Sequence, residues 1–216
     1  MYIRSIAVGA VCVACAMAQS PPTPDLKLRG DRFKPLKYEQ LDPSQKKMAD
    51  NLLAGERGSA NGPYNVLLRS PEVGDLAQKL GAQLRFHSSL PRKLNEFAII
   101  LTGRYWTSQY EWYAHRRYAL EAGLKEEIIA AVAEGKRPSG MLPDEEAVYN
   151  FTTELLNTKQ VSNAAFRSVA EKFGETGAVD LTCVIGYYQL VSSLLNIDRY
   201  PLPDGAKPEL KPVLIK

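Results

Sequence analysis

The sequence predicts an all-α fold. Helix starts pair a capping residue with proline, glycines stand where helices should stop, and apolar residues recur at helical spacing. No convincing strand pair, fixed-period repeat or low-complexity tract appears. Of the 216 residues, 45% are hydrophobic and 24% charged. This is a globular composition, and it excludes disordered, collagen-like and multi-span membrane classes. The formal charge of +3 gives no electrostatic case for nucleic acid as a partner.

Residues 1–18 (MYIRSIAVGAVCVACAMA) read as a secretory signal peptide. Arg4 precedes an apolar run that ends in Ala16-Met17-Ala18, the small-x-small pattern of a cleavage site. The run is shorter than the roughly 20 apolar residues a bilayer span needs. Cleavage after Ala18 removes Cys12 and Cys15, predicts a secreted or periplasmic protein, and leaves no membrane attachment. Cys183 is then the only cysteine and cannot form an internal disulfide. Its setting, LTCVIGYYQLV, predicts a buried small hydrophobe.

Residues 19–41 are Pro-rich and charged, and read as an extended arm lying on the domain or on a neighbour. The helical domain spans 42–200. Asp42-Pro43-Ser44-Gln45 supplies a cap, a proline for the first turn and a glutamine that can reach back, so a helix runs to about residue 53. GERGSANG (55–62) is a loop. Ser70-Pro71 repeats the start signal for a helix to about residue 87, and Pro91 opens the next, with Leu94, Phe97, Ala98 and Leu101 on helical spacing. Further helices are expected over 108–121, stopped by Gly123, and over 125–134, stopped by Gly135. The set closes with 143–156, 162–173 and 177–195. The last is nearly apolar all round, which predicts burial at the centre. Residues 201–216 form a tail that cannot continue a helix.

Candidate chemistry lies on two consecutive helices. Glu96 is embedded among Phe97, Ala98, Ile99 and Ile100. In GRYWTSQYEWYAHRR, Ser108, Glu111 and His115 stand at i, i+3 and i+7 and share a helical face. Glu111 can bind the imidazole proton of His115, raise its pKa and fix its tautomer. Trp106, Tyr110, Trp112 and Tyr113 supply aromatic surface for a small pocket. The same pattern also fits a salt-bridged helix surface, with Glu96 paired to Arg92 or Arg104. One histidine and one Glu-x-x-x-His pair are too few for a closed zinc site, and neither a phosphate-cradling glycine loop nor a G-x-S-x-G elbow is present.

The stretches RSPEVGDLAQKLGAQLRF, LPRKLNEFAIILTGRYWTSQYEWYAHRRYALEAGL and GYYQLVSSLLN resemble the carboxymuconolactone decarboxylase family, which includes the alkyl hydroperoxidase D proteins. The resemblance implies an all-α bundle centred on a helical hairpin that carries the site. It also implies a homotrimer or a hexamer built from trimers. The family's redox branch carries Glu, eleven residues, Cys, two residues, Cys, three residues, His. Here Glu96 and His115 hold the outer places, and Ser108 and Glu111 hold the cysteine places. A hydroxyl and a carboxylate cannot form the disulfide that thiol peroxidase chemistry needs, so the pattern looks more like the decarboxylase branch.

The resulting expectation is a cofactor-free lyase-like or isomerase-like enzyme acting on a small carboxylated or lactone substrate. His115, Glu111 and Glu96 are the candidate catalytic residues. Arg104 is the candidate carboxylate clamp, and Ser108, Trp106, Tyr110 and Trp112 are candidate substrate contacts. No metal or cofactor is called for. The alternatives are an alkyl hydroperoxidase D-like peroxidase and a non-catalytic protein that binds a small ligand.

Overall fold

The computed structural model describes residues 23–212; the signal-peptide expectation, with Cys12 and Cys15, lies outside them. Among the described residues there are eight α-helices and no strand. They are α1 (Pro43–Ala54), α2 (Tyr64–Leu67), α3 (Pro71–Phe86), α4 (Arg92–Tyr105), α5 (Gln109–Glu121), α6 (Glu126–Ala133), α7 (Pro143–Thr158) and α8 (Asn163–Asp198).

The local signals act as the chemistry requires. The Asp42 carboxylate accepts from the Gln45 N–H at 2.9 Å, and the Gln45 side chain accepts from the Asp42 N–H at 3.0 Å, a reciprocal capping box. Gly123 and Gly135 end their helices with φ of +92° and +72°, a region that costs glycine little. One element has no sequence signal, the short α2 just after the loop at 55–62. The expected break between helices over 162–173 and 177–195 is present, because α8 kinks at Gly174, whose φ of 70° and ψ of 176° are non-helical.

The centre of the bundle is α4, not the last helix. Ten consecutive α4 residues from Leu94 to Gly103 are buried, and α4 packs against α5, α6, α7 and α8. By contrast α8 buries one face through Leu181, Val184, Ile185, Tyr188 and Leu195 and exposes Val179 (60%), Leu190 and Ile197. Its apolar composition marks two faces, and the described chain covers one of them. That geometry also corrects the expectation for Cys183, which is exposed. Its neighbours Val184 and Ile185 take the core-facing positions and leave the thiol outside. By length and composition α8 would pass for a membrane span, yet here it is packed on one side against the bundle.

Helices α4 and α5 form a tight antiparallel hairpin. Ser108 N–H donates to Gly103 O at 2.9 Å. Gly103 faces Glu111 across the hairpin, and a Cβ there would stand at an ordinary contact distance of 3.6 Å from Glu111 Cβ. The arm lies on the body. Asp198, fully buried, accepts from the N–H groups of Phe33 at 2.8 Å and Asp31 at 3.2 Å. At the other end the tail crosses the start of α5. Gln109 exchanges two hydrogen bonds with the Leu210 backbone, donating at 2.7 Å and accepting at 3.2 Å.

Candidate active site

The hairpin register brings together residues nineteen apart in sequence. His115 Nδ1 lies 2.6 Å from Glu96 Oε2 on α4, and Nε2 lies 3.0 Å from Glu111 Oε1 one turn earlier on α5. All three residues are 5% exposed or less. Burial alone would lower the His115 pKa, but the two carboxylates outweigh it and push it up to about 9. The ring is therefore an imidazolium at neutral pH, with one N–H directed at each carboxylate. Tyr188 from α8 meets the ring edge-on at a centroid distance of 5.0 Å, and Tyr118 does so at 5.6 Å.

This unit opens on a cavity of about 460 Å³ whose walls include His115, Glu111, Tyr187, Tyr188, Arg57 and Arg85. Burial drives the Tyr188 phenol well above its ordinary value. It stays protonated, and its hydroxyl is buried without a partner among the described residues. Gly81 of α3 makes room for Tyr187, because a Cβ there would stand 2.2 Å from the Tyr187 hydroxyl. The tail also reaches the cavity. Glu209 lines it, accepts from the Trp112 indole N–H at 2.9 Å, and lies 3.5 Å from Arg116 Nε. Such a site can hold a small molecule away from bulk water, offer it a proton from a buried acid and face it with cations. Both ring nitrogens of His115 face carboxylates, so neither lone pair is free for a metal.

Comparison with solved structures places this architecture. A protein of unknown function from Agrobacterium tumefaciens, suggested to be the antioxidant defence protein AhpD, superposes with a TM-score of 0.58 at 15% identity, over 66% of this chain and 99% of that one. The debrominase Bmp8 superposes in its apo form with a TM-score of 0.60 at 14% identity, over 80% of this chain and 92% of that one. A cysteine-to-alanine variant of Bmp8 in complex with 2,3,4-tribromopyrrole gives 0.59 at 15%, over 80% and 91%. The chain has the alkyl hydroperoxidase D-like fold. No family model and no curated protein matches the sequence; these identities carry the fold alone.

Within this D-like fold the expected site residues divide. Glu96, Glu111 and His115 converge, and Glu96 pairs with His115 rather than with Arg92, which reaches Glu121 at 3.6 Å. Tyr110 lines the cavity. Ser108 starts α5 and is fully buried, its hydroxyl without a partner among the described residues and away from the cavity walls. Trp112 is buried beneath the site and reaches it only through Glu209.

Arg104 and Trp106 are corrections. Both line a different cavity, of about 1030 Å³, beside α6 and α7. Arg104 donates to Lys211 O at 3.1 Å. It stands eight residues beyond Glu96, roughly 12 Å along the helix and about 80° around it, so it cannot clamp a substrate held at His115. The residues missed are Arg57 and Arg85. Arg57 sits in the loop before α2, where no periodicity points to it, and Arg85 is in the last turn of α3, where a basic residue reads as an ordinary helix end.

Proposed function

We propose that this protein is a cofactor-free acid–base enzyme, lyase-like or isomerase-like, acting on a small carboxylated or lactone substrate. The observation that supports it most is the buried Glu96–His115–Glu111 unit, which meets a partly open cavity through His115 and Glu111. The His115 imidazolium is the proton donor. Glu111, which shares the cavity wall, receives a proton taken from carbon next to a carbonyl or passes one toward it. Glu96 sits behind the ring and holds its orientation, as imidazolium before the proton is given up and as neutral imidazole after. In a decarboxylation, the C–C bond to the carboxylate breaks, CO₂ leaves, the electron pair becomes an enolate, and a proton from this unit closes the carbon. Tyr188, kept protonated by burial, can donate to the developing enolate oxygen.

The peroxidase reading lacks a thiol at the site, because Cys183 is on the outer face of α8. A homotrimeric or hexameric assembly belongs to the same proposal, supported by apolar side chains left exposed on α3 and α8, among them Leu76 (70%) and Val179 (60%). The function is tested by offering 4-carboxymuconolactone and related lactone acids to the wild type and to His115→Ala, and measuring CO₂ release. Turnover by the wild type and its loss in the variant support the proposal. Equal rates in both remove His115 from the chemistry.

A further inference from the structure

Four arginines line the His115 cavity, and they are not equivalent. Arg116 pairs with Glu126 at 2.6 Å and lies 3.5 Å from Glu209, and Arg117 lies 3.5 Å from Glu121. Arg57 and Arg85 have no carboxylate within 4.0 Å among the described residues. Each is instead laid against an aromatic ring. The Arg57 guanidinium is 5.1 Å from the Tyr64 centroid, and that of Arg85 is 4.6 Å from the Tyr118 centroid. Aromatic stacking fixes a guanidinium plane without neutralising it. The loop carrying Arg57 is tied to the end of the helix carrying Arg85, with Glu56 Oε1 2.5 Å from His87 Nε2. The Arg57 Nε is buried and has no acceptor among the described residues. A buried donor of this kind costs free energy unless something fills it.

We infer that Arg57, backed by Arg85, is the receptor for the carboxylate of a small, single-ring acid bound with its reacting carbon toward His115 and Glu111. The inference rests on the proposed function and names its substrate class. The planar fork of Arg57 suits a carboxylate held by two parallel N–H donors. The cavity of about 460 Å³, walled by Tyr187 and Tyr188, suits one planar ring. The two cations also offset the acidic oxygens of Glu111 and Glu209, which would otherwise repel an anion.

The test is binding, so that it stands apart from turnover. Benzoate and its neutral analogue benzamide are titrated calorimetrically against the wild type, Arg57→Gln, Arg85→Gln and His115→Gln. The wild type should prefer benzoate by about tenfold or more, the scale of a charge-assisted pair. Arg57→Gln should lose that preference while binding benzamide as before, Arg85→Gln should lose part of it, and His115→Gln should keep it. If Arg57→Gln does not fold, wild-type crystals soaked with 4-bromobenzoate decide the matter. Anomalous scattering must place bromine in this cavity with the carboxylate on Arg57. Benzoate bound no better than benzamide, no binding of either, an undiminished preference in Arg57→Gln, or a carboxylate placed away from Arg57 overturns the inference. A wild-type preference that Arg57→Gln loses, together with full turnover by His115→Ala, would instead overturn the proposed function and leave the anion receptor standing.

Discussion

The charge on His115 couples folding to pH in a way that one substitution isolates. The ordinary value for the imidazole is 6.5, and in the folded protein the two carboxylates raise it to about 9 against the opposing effect of burial. Between those two values the folded chain holds a proton that the unfolded chain has released, so stability falls as pH rises. The slope for one proton is about 1.4 kcal/mol per pH unit, and across this interval it integrates to about 3 kcal/mol. The contribution is fully present below pH 6.5 and is lost by the time pH passes 9. Urea unfolding of wild type and His115→Gln at several pH values from 5 to 10 measures it, because titrating groups that do not touch His115 cancel in the difference. The wild type should lose about 3 kcal/mol relative to the variant across the window. A difference that stays flat, or one that grows with pH, would refute the reasoning.

Other perturbations follow from the same structure. Glu96→Gln removes one of the two charges holding the imidazolium, so the pH-dependent loss should shrink and be complete at a lower pH in the same urea series. Gly81→Ala drives a Cβ into the Tyr187 hydroxyl, which should cost about 1–3 kcal/mol of stability and weaken ligand binding in the cavity, read by thermal melts and calorimetry. Trp112→Phe removes the indole bond to Glu209. It should cost about 1 kcal/mol and speed limited proteolysis within the tail at 201–212. Cys183 shares the outer face of α8 with Val179, so it should react with a thiol reagent in the dissociated chain and be shielded in the oligomer.

What the sequence reveals depends on how local the determining contact is. Helix starts at Asp42-Pro43 and stops at Gly123 and Gly135 are settled within a few residues, and they are found where the pattern puts them. The Glu111–His115 pair is equally local, since i and i+4 share a helical face. Glu96 joins them only through the register of the α4–α5 hairpin, a tertiary contact that no local pattern fixes. Arg104 shows the limit of such reasoning. It is near Glu96 in sequence and carries the right chemistry, but helical rotation sends it to another cavity. Arg57 shows the converse. It lies far from His115 in sequence, in a loop without periodicity, and only tertiary packing brings it to the same cavity. Composition likewise could not tell which face of α8 is covered, so Cys183 reads as core although it lies outside, on the face that exposes Val179.

The most direct measurement of the central claim is proton transfer to carbon. Small lactone and ring acids incubated with the protein in deuterium oxide can be followed by NMR for exchange at the carbon next to the carbonyl. The account predicts exchange with the wild type and none with His115→Gln, while the variant still binds the acid. Equal exchange in both proteins would contradict it.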